Sequence, residues 1–123
     1  MLRYDAQDIK RMERESNRLI REMKYAEAEA ILREAIQVIS ATPVLNNLAF
    51  CRFMQDDPEE AFEILQPNLA PEAHNPFAQA LAAQICVALG RRTEAEEYSE
   101  GAIREYEDGI PKMRLAPDAI ARP

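Results

Sequence analysis

The sequence contains no tryptophan, one histidine, two cysteines and three glycines. So little glycine leaves scant material for the tight turns that join neighbouring strands. Alanine, glutamate, leucine and arginine dominate instead, in proportions that favour helix. The composition predicts an all-α protein. Cys51 and Cys86 lie 35 residues apart in apolar segments, and His74 stands in a connection rich in proline and asparagine. A metal site therefore lacks ligands, and no cofactor is expected. Neither cysteine has an evident base and no glycine-rich oxyanion element exists, so both thiols read as small core residues and no catalytic set is expected.

Positive charge is also in short supply. Fifteen Lys and Arg stand against 22 Asp and Glu, a formal net charge of −7 with an isoelectric point near 4.8. The average field repels phosphate backbones and anionic lipid, so neither nucleic acid nor a membrane surface is an expected partner. Long apolar runs are absent too. The nearest approach, residues 77–90, is interrupted by Gln79 and Gln84, and the opening MLRYDAQDIK has no apolar core of the kind an export signal needs. The cytoplasm is the expected compartment. The acidic group Asp56, Asp57, Glu59 and Glu60 lacks the alternating ligands and central glycine of a calcium loop, and it suits a helix N-terminus instead.

A length of 123 residues fits one domain. Within it, hydrophobic period 3.6 marks six helical segments, about residues 6–23, 25–40, 43–55, 58–69, 76–89 and 93–106. Pro43, Pro58 and Pro76 suit first turns, where a missing N–H costs nothing, and Gly90 suits a C-terminal cap. Pro67 falls inside the fourth segment and should kink it or end it early.

The second helix of each successive pair aligns without gaps: YAEAEAILREAI, PEEAFEILQPNL and RTEAEEYSEGAI. Ala28, Ala61 and Ala95 fall 33 and 34 residues apart in this alignment, each preceded by a glutamate. Ser16, Ala49 and Ala83 form a small column in the first helices. Small residues at both columns let two helix backbones approach closely where they cross. Helix pairs of this length and pattern resemble the tetratricopeptide repeat over residues 9–108, with Leu48, Ala49 and Ala61 among the best matches. The chain departs from that pattern at Gln79, Glu15, Arg52, Ser40 and Asn68. For Arg52 the expectation is a stem along apolar surface and a head reaching Asp56, Asp57 or a helix end.

The resemblance implies a right-handed α-solenoid of three antiparallel pairs, 6–40, 43–70 and 76–107, forming a domain over residues 1–110. Residues 111–123 are then an irregular proline-rich tail or the stub of a longer protein. It also implies a non-catalytic adaptor that holds a protein or peptide segment on the concave surface lined by the first helices. Alternatives are a small acidic secretion chaperone of this repeat type and an interaction domain of a larger regulatory protein. The candidate groove residues are Asn46, Asn47, Phe50, Phe53, Phe77, Leu81 and Gln84, with Asn17 and the basic strip Lys10, Arg14 and Arg21 on the first helix. Amides would hold a peptide main chain and aromatics would supply pockets. Asn17 and Asn47 occupy the asparagine columns of the subfamily that clamps a terminal carboxylate. Its basic columns here contain Glu13, Phe77 and Leu81, so that clamp is not expected. Uncovered end faces would also permit a homo-oligomer.

Overall fold

The computed structural model describes residues 4–39 and 42–113, and these form α-helices and short 3-10 helices with no strand among the described residues. Six α-helices follow in order: α1 (Ala6–Arg21), α2 (Tyr25–Ala35), α3 (Thr42–Met54), α4 (Pro58–Leu65), α5 (Pro76–Ala88) and α6 (Arg92–Met113). The protein is all-α. Among the described residues no helix is long and apolar enough to cross a membrane.

Local chemistry explains most of the boundaries. Asp5 caps α1 by accepting from the Asp8 N–H at 2.8 Å, and Asp8 returns the contact to the Asp5 N–H at 3.1 Å, a reciprocal capping box. Asp57 caps α4 and Asn75 caps α5, each directly before a proline in the first turn. Pro67 acts as expected: α4 ends at Leu65 and the chain tightens into a 3-10 turn over Gln66–Leu69. Helix α2 ends at Ala35, short of the expected boundary at 40. Helix α6 runs to Met113 and takes in Pro111, so residues 111–113 are helical where an irregular tail is expected. A proline in the last turn removes one backbone bond without stopping the helix. The rest of that expected tail, 114–123, lies outside the described residues.

The turns after the first helix of each pair repeat in detail. Met23, Asp56 and Gly90 all have left-handed backbone, with φ of 60°, 64° and 75°. Each is followed by the same long-loop bond, from Lys24 N–H to Leu19 O, Asp57 N–H to Arg52 O and Arg91 N–H to Cys86 O. Glycine fits this geometry freely, whereas methionine and aspartate carry a steric penalty on the order of 1 kcal/mol. Met23→Gly should therefore raise stability by about 0.5–1 kcal/mol, since that side chain is 72% exposed and contributes little packing. Chemical denaturation reads this directly, and a loss of stability would show that the turn is not held left-handed.

Extensive packing joins consecutive helices, and α3 also meets α5. Two buried clusters result. One gathers Leu19, Ala28, Leu32, Ala35, Val44, Leu48 and Cys51 from α1, α2 and α3. The other gathers Ala49, Ala61, Leu65, Ala78, Ala82 and Ile85 from α3, α4 and α5. The alanine column is interior throughout, with Ala28 and Ala61 fully buried and Ala95 at 7% exposure. Among the first helices, Ser16 and Ala49 are equally buried, and Ala83 is half-buried.

Candidate functional site

The eleven candidate groove residues have different neighbours in the structure. Side chains on α3 fall on two sides of the helix, because successive residues turn by about 100°. Asn47 and Phe50 face outward, and Met54, one turn on from Phe50, extends that stripe with 44% exposure. Asn47 donates to the Asn17 Oδ1 at 3.4 Å, bridging α3 to α1. Beneath this pair is a cleft lined by Met12, Glu13, Ser16, Leu32, Ala35 and Val44. Phe50 lies edge-on to Tyr25, with ring centroids 5.8 Å apart. This junction of α1 and α3 is the part of the candidate face that the structure brings together.

Asn46 is drawn elsewhere. It accepts at 2.8 Å from the amide of Asn68, which is 5% exposed and also donates to the Thr42 carbonyl at 2.9 Å. Asn46 thus satisfies a buried amide at the end of α4, a role that competes with holding a ligand. Phe53 and Leu81 pack against the second cluster and are half-buried. On α5, Phe77 and Gln84 are exposed but point along α6, where Phe77 shares a recess with Ile103 and Tyr106. Lys10 and Arg14 border a shallow recess with Gln7 and Arg11 on α1, and Arg21 is exposed on the same helix.

Three departures from the repeat pattern, Asn68, Gln79 and Arg52, have partners in space, and Ser40 lies outside the described residues. Asn68 is matched by Asn46, as above. Gln79 lies over Gly101, where an added Cβ would meet the Gln79 Oε1 at 2.0 Å, so α5 and α6 approach closely there. Arg52 donates to Asp57 Oδ2 at 2.7 Å, which is the contact expected for it, and to Glu29 Oε1 at 3.1 Å. Its Nε lies 3.3 Å from Glu60 Oε2, an ion contact without hydrogen-bond geometry. Arg33 completes the network, binding Glu29 Oε2 and Glu60 Oε1 at 2.7 Å each. Burial alone would push the Glu29 carboxyl up, but hydrogen bonds from Arg33, Arg52 and Gln55 outweigh it and hold the carboxyl below its ordinary value. These charges tie α2, α3 and α4 together on the side of α3 away from Asn47.

No protein-family model matches the chain, and a search of curated proteins gives no match. The chemistry of the site therefore rests on its own residues. Burial, with Glu29 adding to it, pushes the Cys51 thiol up to about 11, and burial also raises Cys86. Both thiols are neutral packing groups near pH 7. Among the described residues no group of three or more His, Cys, Asp or Glu is placed to hold a metal ion. The groups at the α1–α3 junction are an exposed amide, Asn17, and the half-buried Asn47 and Phe50 beside a cleft. Such groups hold a main chain by hydrogen bonds and grip one apolar side chain.

Proposed function

We propose that the protein is a non-catalytic interaction module of the tetratricopeptide type, acting in the cytoplasm as an adaptor. In this reading three antiparallel helix pairs curve into a right-handed superhelix, and a peptide or protein segment binds across α1 and α3. The left-handed turns at Met23, Asp56 and Gly90, with the buried column Ala28, Ala61 and Ala95, support the repeat architecture. The observation that carries the binding reading is the Asn17–Asn47 pair across the cleft, flanked by Phe50 and Met54. A ligand strand would replace the 3.4 Å amide contact, which is long and weak, with main-chain bonds to both asparagines.

Selection from a random-peptide library against the full chain tests this. The expected result is an enriched extended sequence whose affinity falls about tenfold or more in an Asn17→Ala, Asn47→Ala, Phe50→Ala variant of native circular dichroism. Enrichment of nothing, or the same sequence retained by the triple variant, sinks the proposal.

A further inference from the structure

Resting on the repeat reading above, we infer that the outer groove between α5 and α6 docks one amphipathic helix of a partner protein. That helix has small or aliphatic residues at i, i+4 and i+7 and basic residues beside them. In the earlier pairs the equivalent groove is covered by the next helix. Val44, Leu48 and Cys51 of α3, spaced i, i+4 and i+7, join Leu32 and Ala35 of α2 in the first cluster. Ala78, Ala82 and Ile85 of α5, at the same spacing, join Ala49 and Leu65 in the second. One helix type thus closes each groove in turn.

In the last pair the matched positions are Ala83, Ser99, Ala102 and Ile103, and no described helix lies over them. Two open recesses lie there along α5 and α6. Ala83 and Val87 face Ala95 and Ser99 in one, and Phe77 and Ala80 face Ala102, Ile103 and Tyr106 in the other. Ile103 is 57% exposed, whereas its counterparts Ile36 and Leu69 pack against the two clusters. Phe77 and Val87 are 73% and 70% exposed. Large apolar side chains exposed together in this way mark an interaction surface.

The charges select the occupant. A second copy stacking end to end would offer α1, and α1 carries Arg11, Glu15 and Arg18 at the positions where α3 and α5 carry their apolar triads. Burying those three groups in an apolar groove is unfavourable, so α1 is a closed end and does not complete α6. The rim of the groove carries Glu96 and Glu107, with Arg92 at one end, in a chain of net charge −7. A partner helix flanked by Lys and Arg meets that rim with opposite charge, which speeds encounter and excludes acidic competitors.

The probe is a fluorescein-labelled helical peptide with Val, Leu and Ile at i, i+4 and i+7 and lysines flanking them, titrated with the full chain by anisotropy. Saturable binding in the range of about 10–100 µM is expected, weakened about tenfold by Ile103→Glu or Val87→Glu and by exchanging the lysines for glutamates. Asn47→Ala should leave it unchanged. Both glutamate substitutions fall on exposed positions, and circular dichroism checks that the variants fold. No binding up to about 1 mM, or an affinity that neither glutamate substitution changes from the parent's, overturns the inference. So does binding tightened more than about tenfold by Leu115→Ser with Ile120→Ser, which would assign the groove to the chain's own last residues. Self-association abolished by Ile103→Glu would assign it to a second copy and overturn it equally. The library selection reads a different surface, so its result separates failure here from failure of the peptide-binding reading.

Discussion

Ala61→Leu is expected to lower stability by about 3 kcal/mol, near the upper end of what added methylenes cost in a packed core. Ala61 is fully buried and shares its cluster with Ala49, which is buried to the same degree on the helix that α4 packs against. Leucine has no space to occupy unless α3 and α4 separate, and separation would strip contact from Leu65 and Ala82 in the same cluster. Ala26→Leu on the exposed face of α2 is the control, expected to stay within about 0.5 kcal/mol of the parent. Urea denaturation compares the two. A cost below about 1 kcal/mol for Ala61→Leu would remove the mechanical meaning assigned to the alanine column.

Glu29→Ala should cost about 1–2 kcal/mol, between the values for exposed and for buried ion pairs, because every member of its network is half-buried. The Glu29 side chain is 13% exposed and accepts from Arg33, Arg52 and Gln55, so its removal leaves donors on two helices without their shared acceptor. The network also gives a pH signature. Because the folded carboxyl is held below its ordinary value of 4.5, its contribution is whole above that value and fades as pH falls through the lower folded one. Asp57, lowered first by the Arg52 hydrogen bond, shifts in the same direction. Stability should therefore decline below about pH 5, and Glu29→Gln should flatten that decline while lowering the plateau near pH 7. Denaturation midpoints at several pH values check it. An acid limb identical in parent and Glu29→Gln would show that Glu29 is not a linked group.

The helices were legible because each carries a one-dimensional signal: period 3.6, prolines at the first turns, and Pro67 ending α4. The left-handed turn was legible at Gly90 alone. Met23 and Asp56 adopt the same backbone without glycine, and only their position in the repeat points to it. The site was less legible because its polar residues are assigned by partners distant in sequence. Asn46 and Asn47 look equivalent as neighbours, yet one serves Asn68 and the other meets Asn17. Gln79 breaks an apolar column, and Gly101 on the next helix is the space that receives it. Met54 was missed although it continues the Asn47 and Phe50 stripe, because its matched positions, Arg21 and Ala88, share no chemical character with it.

Ile64 packs against both hydrophobic clusters, one of the few side chains spanning the boundary between them. Bending of the molecule at that seam would disturb the contacts of Ile64 on both sides. A short ligand seated between Asn17 and Phe50 rests beside one cluster and is indifferent to such bending. A longer one that also reached α5 would straddle the seam, and its grip would become sensitive to how the two clusters sit against each other.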